Sequence, residues 1–151
     1  MSVVNLFELE LTADADEPPG YGATYARVGP LVGGEQLGMS VYELEPGLSI
    51  CPYHYENAEE EWLIVLSGRP TLRTPEGERE LGPWNCAFFP RGESGAHKVT
   101  NQTDETVRVC LWSDRLAVAT SIYPDSEKVG AWPPGKLFRL ADEVEYFTGE
   151  A

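Results

Sequence analysis

Residues 52–68, PYHYENAEEEWLIVLSG, place a histidine, a carboxylate two positions on, a second carboxylate five beyond that, and then an apolar run closed by glycine. In an extended chain residues i and i+2 project to one face, so His54 and Glu56 point the same way while Tyr53 and Tyr55 point away. Glu61 opens the next strand, and a hairpin over Asn57–Glu60 brings its side chain opposite the first two. Glu59 and Glu60 read as solvated charge in that hairpin. Glu61 does not, because a carboxylate that opens a strand as apolar as Trp62–Leu66 needs a partner.

The chain has only one other histidine, His97, in a strand distant in sequence. With it, two imidazoles and two carboxylates (His54, Glu56, Glu61 and His97) make a donor set for one divalent metal ion, and zinc, manganese, iron and nickel all fit such donors. The carboxylate charges neutralise the cation, which makes burial of the set tolerable.

Working outward, twelve prolines and fifteen glycines cut the sequence into short runs rich in Val, Ile, Leu, Tyr, Phe and Trp. Such runs predict an all-β chain. Strands are predicted over Val4–Leu11, Thr24–Val28, Met39–Leu44, Ser49–Tyr55, Glu61–Leu66, Thr71–Thr74, Glu78–Leu81, Cys86–Phe89, His97–Thr100, Thr106–Ser113 and Lys136–Leu140. Turn residues lie between them at Glu45-Pro46-Gly47, Ser67-Gly68, Thr74–Gly77 and Pro90-Arg91-Gly92. Surface loops are predicted at Thr12–Tyr21 and Ser126–Pro134. Strands and turns at this spacing favour a sandwich or closed barrel over parallel βαβ units.

A chain of 151 residues with no internal repeat is the size of a single domain. Its 11 Lys and Arg against 25 Asp and Glu give a net charge of −14, which disfavours nucleic acid and anionic lipid as partners. Cys51, Cys86 and Cys110 are odd in number and lack C-x-x-C spacing, so they read as small buried hydrophobes in a reducing, cytoplasmic setting. The N-terminus lacks the basic and apolar regions of a secretory signal, and no apolar stretch approaches a membrane span. The predicted N-terminal strand and open sheet edges favour a homodimer.

Two ordered motifs resemble those of the cupins. Gly47, His54, Glu56, Glu61 and Gly68 follow the first, with the six-residue gap before its last glycine. Gly82, Pro90, Gly92, His97 and Asn101 follow the second. Glu56 departs from the pattern by standing where the family usually has its second histidine. The resemblance implies a double-stranded β-helix, or jelly-roll barrel, over residues 1–151, with a motif-bearing core at about 38–115 and N-terminal strands and a C-terminal extension packed on it. It also implies a small organic ligand or substrate in the barrel. The fold hosts several chemistries: a metal-dependent oxygenase or isomerase, and a metal-free sugar- or metabolite-binding protein, stand beside a metal-binding protein of unassigned reaction.

Overall fold

The computed structural model describes residues 1–150. In chain order the strands are β1 (Thr24–Arg27), β2 (Leu37–Leu44), β3 (Tyr55–Glu56), β4 (Glu61–Ser67), β5 (Thr71–Thr74), β6 (Gly77–Glu80) and β7 (Cys86–Phe89), then β8 (Lys98–Thr100), β9 (Val107–Asp114), β10 (Ala119–Tyr123), β11 (Lys128–Trp132) and β12 (Lys136–Arg139). One five-residue helix, α1 (Val28–Val32), follows β1. Every pairing is antiparallel, in sheets ordered β1-β2-β9-β4-β7, β12-β11-β10-β3 and β6-β5-β8. The all-β jelly-roll expectation is met.

Alternation along β2, β4 and β9 decides which side chains enter the barrel. Leu44, Leu63, Val65, Val107 and Val109 point inward and join Leu72, Leu81, Phe89 and Val99 in the main core. Their neighbours Val41, Leu66 and Cys110 face outward with Val28, and form a second apolar cluster covered by Val4, Leu6 and Leu9. The five-stranded sheet is thus apolar on both faces, as a sheet buried on both sides must be.

Four expectations are corrected. Val4–Leu11 is no strand. The segment lies across the outer sheet face, its carbonyls at Leu6 and Phe7 accept from the Arg108 guanidinium, and only Thr12 makes a bridge, to Tyr25. Ser49–Tyr55 is not continuous either. Isolated bridges at Ser49 and His54 flank a bend through Pro52, which has no N–H to give to a ladder. Ser126–Pro134 is mostly strand, because β10 and β11 form a hairpin around Pro124–Ser126 with Glu127 at a φ of 50°. Of the cysteines only Cys110 is buried; Cys51 is half-buried and Cys86 is exposed on the edge strand β7.

No helix of the described residues is long and apolar enough to cross a membrane.

Candidate metal centre

His54 and His97 meet through backbone before their side chains meet. Each donates its N–H to the other's carbonyl, at 3.1 and 2.8 Å, and this two-residue bridge brings the ring centroids to 4.8 Å. Glu61 arrives from the start of β4, where it pairs with Ser113 of β9 and Phe89 of β7. Glu56 closes β3, paired with Ser121 of β10.

Both imidazoles are oriented from behind. His54 Nδ1 lies 3.0 Å from the Pro52 carbonyl and His97 Nδ1 2.9 Å from the Gly95 carbonyl. A carbonyl only accepts, so each Nδ1 carries the proton and each Nε2 is left with a free lone pair. The turn that supplies the Gly95 carbonyl admits only glycine, since a Cβ there would sit 1.8 Å from the Pro90 oxygen. Phe89 stacks on His97 at 3.6 Å and 7°, fixing the ring plane.

The Nε2 atoms face carboxylate oxygens at distances too long for hydrogen bonds. His97 Nε2 is 3.6 Å and His54 Nε2 3.9 Å from Glu61 Oε2, and His54 Nε2 is 3.8 Å from Glu56 Oε1. His97 Nε2, Glu61 Oε2 and Glu56 Oε2 are buried without any hydrogen-bond partner. The donor atoms of His54, Glu61 and His97 all lie within 4.8 Å of one another. Donors sharing a tetrahedral ion at about 2.1 Å each sit roughly 3.4 Å apart. The 3.6 and 3.9 Å separations of Glu61 Oε2 from the two Nε2 atoms are close to that, which makes the three a candidate set for one divalent cation. Glu56 stands beside that group rather than in it.

The charges show the same need. Burial, then the neighbouring His54, lowers the His97 pKa to about 3, with the Gly95 carbonyl opposing. Burial also lowers that of His54. Burial, then Glu56, pushes Glu61 up to about 8. Glu56 is raised by burial against the opposing Ser121 hydroxyl. The His–Glu contacts are therefore not ion pairs: neutral imidazoles face carboxyls that resist ionising, and no positive charge offsets them.

Several lining residues escape a reading of the sequence. Tyr123 of β10 stacks on His54 at 5.8 Å, Cys51 Sγ lies 3.5 Å from His54 Nδ1, and Tyr42 of β2 lines the same space as Glu61. The signal for Tyr123 was the alternation in Ala119–Tyr123, a run short enough to pass as loop. Tyr53 points away from the centre as the alternation requires, and carries the Arg73 guanidinium 4.0 Å over its ring.

A family model described as the cupin domain matches residues 40–114. Among solved structures, a candidate sugar phosphate isomerase of Acidithiobacillus ferrooxidans is 26% identical at a TM-score of 0.83, over 93% of this chain and 91% of that one. A sugar phosphate isomerase from a cupin superfamily, of Silicibacter pomeroyi, superposes as well, with a TM-score of 0.83 over 95% of this chain and 96% of that one, at 24% identity. The polyketide cyclase RemF of Streptomyces resistomycificus is 26% identical with a TM-score of 0.59, over 76% of this chain and 79% of that one. No protein of curated function matches the sequence.

Proposed function

Residues 40–114 are a cupin domain, and from that premise we infer that the protein holds one divalent cation on His54, Glu61 and His97 and isomerises a small carbonyl compound in the barrel mouth. The observation that carries this is the buried pair His97 Nε2 and Glu61 Oε2, 3.6 Å apart and both without a hydrogen bond. A cation satisfies both atoms at once and supplies the missing positive charge.

Bound there, the ion supplies Lewis acidity toward a carbonyl or hydroxyl oxygen of the substrate. The remaining chemistry belongs to the chain. Glu56 sits beside the three ligands with Oε2 buried and unpartnered, and burial raises its proton affinity. Its ionised form is therefore a stronger base than a solvated carboxylate and suits the taking and returning of a proton. Glu56 accepts the proton from the carbon next to the carbonyl and delivers it to the carbonyl carbon. A second proton passes between the two oxygens, and the product has the substrate's formula. Phe89 and Tyr123 wall the site with aromatic faces and exclude water. The candidate isomerase of Acidithiobacillus ferrooxidans, matched over nearly the whole of both chains, favours this reaction over oxygenation.

Incubation of metal-reconstituted protein with aldoses and their phosphate esters in deuterium oxide tests it. NMR should show ketose product with deuterium at the former carbonyl carbon, and Glu56→Gln should lose at least about a hundredfold in rate. Absence of both product and exchange across the panel rejects the isomerase.

A further inference from the structure

Interstrand pairing places Arg27 and Arg115 on the inner face of the sheet that carries Glu61. Arg27 of β1 pairs with Ser40 of β2, and Gly38 of β2 pairs with Ser113 of β9, which in turn pairs with Glu61. Directly paired residues share a face, as do residues two apart on one strand. Arg27, Ser40, Ser113 and Glu61 therefore face one space, and Arg115 follows Ser113 on that face, its N–H held by the Gln36 carbonyl. Gly38 makes room for it: a Cβ there would meet Arg115 Cγ at 3.3 Å and Ser113 Oγ at 3.7 Å.

A cavity of about 290 Å³ opens between the two arginines. It shares Gly38, Ser40 and Ser113 with a smaller one of about 120 Å³ whose lining includes Tyr42 and Glu61. The two are neighbours across those three residues, and the smaller one reaches Glu61. Of the eight arginines, four are committed to carboxylates: Arg69 to Glu80, Arg73 to Asp125, Arg91 to Asp114 and Arg108 to Glu43. Among the described residues Arg27 and Arg115, like the exposed Arg79 and Arg139, form no salt bridge, and only Arg27 and Arg115 line the larger cavity. Glu59 also lines the outer cavity, with Oε1 accepting the Leu116 N–H at 3.1 Å. Arg27 also lines a neighbouring cavity with Asp14 and Glu17.

We propose that Arg27 and Arg115, with the hydroxyls of Ser40 and Ser113, bind the phosphate group of a phosphorylated substrate whose other end reaches the cation at Glu61. Guanidinium forks match phosphate oxygens two at a time, and the hydroxyls donate to the oxygens that remain. The assignment rests on the isomerase reading for the role of its far end.

Calorimetric titration of metal-reconstituted protein with a pentose 5-phosphate, the free pentose, an aldonate of equal length and inorganic phosphate tests it. The ester should bind at least about tenfold more tightly than the free pentose. The double variant Arg27→Gln/Arg115→Gln should lose that advantage, and weaken inorganic phosphate, with metal content and melting temperature unchanged. Equal affinity for ester and free sugar, or an ester affinity that survives the double variant, overturns the proposal. An aldonate that binds as tightly as the ester assigns the two arginines to carboxylates and overturns it too. The two readings fail separately: metal uptake with no effect of the arginine variants removes the arginine site alone, whereas phosphate binding lost in the double variant of a chain that takes up no metal removes the cation alone.

Discussion

His97 and Asn101 stand four residues apart at the two ends of β8, 2% and 0% exposed, and their polar atoms meet opposite fates. Asn101 is saturated. Its Nδ2 donates to the carbonyls of Leu44 and Glu105 at 2.9 and 2.7 Å, and its Oδ1 accepts from the N–H and hydroxyl of Thr103 at 3.0 and 2.7 Å. His97 is satisfied only at the rear, through the Gly95 carbonyl, and its Nε2 faces Glu61 with no bond at all. A buried polar group that finds all its partners within the chain is holding the fold. One left open toward another open group is waiting for something the chain does not contain. At one end of the barrel the polar residues knit loops together, and at the other they converge on a cation-sized gap.

The largest effect should come from the saturated end. Asn101→Ala strands two carbonyls, an N–H and a hydroxyl, and should cost about 3 kcal/mol in urea denaturation while the folded fraction still takes up metal. A cost below about 1 kcal/mol would erase the distinction between the two ends.

Next is a pH effect confined to the open end. Glu61 is raised from 4.5 to about 8, so its contribution to stability is full below pH 4.5 and is lost as pH rises through 8. His97 is lowered from 6.5 to about 3, so its contribution is present above pH 6.5 and is lost as pH falls toward 3. Between pH 6.5 and 8 the Glu61 slope outweighs the last of the opposing histidine titration. Chelator-treated protein should lose about 1 kcal/mol across that window, and protein in excess metal should not, because the cation holds Glu61 ionised. Equal slopes with and without metal would show that no cation reaches Glu61.

The smallest effect sharpens the comparison from the other side. With metal removed, His97→Gln should cost less than Asn101→Ala by the same denaturation assay. It gives up one hydrogen bond, to the Gly95 carbonyl, and the Phe89 stack, where Asn101→Ala gives up four hydrogen bonds. A loss as large as that of Asn101→Ala would make His97 a structural residue.

The site was more legible in the sequence than the walls around it. His54, Glu61 and His97 lie at strand ends next to Pro, Gly and Asn, where period-two alternation and turn chemistry are both local. Glu56 was placed on the correct face yet stands beside the triad, because the bend at Pro52 and the pairing of β3 with β10 are set by a partner strand about 65 residues away. Tyr123 was missed for the same reason. Nothing local in the sequence singles out Arg27 or Arg115, whose shared face follows from the pairing of β1, β2 and β9. The N-terminal segment misled because Val4, Leu6 and Leu9 are apolar at nearly strand spacing. They cover a sheet face without joining its ladder.

Elemental analysis of the folded protein after dialysis against a mixture of divalent zinc, manganese, iron and nickel tests the central claim most directly. One ion per chain in the wild type, with near-complete loss in both His54→Ala and His97→Ala, is the predicted result. Metal content that is negligible in the wild type, or unchanged in the two variants, would contradict it.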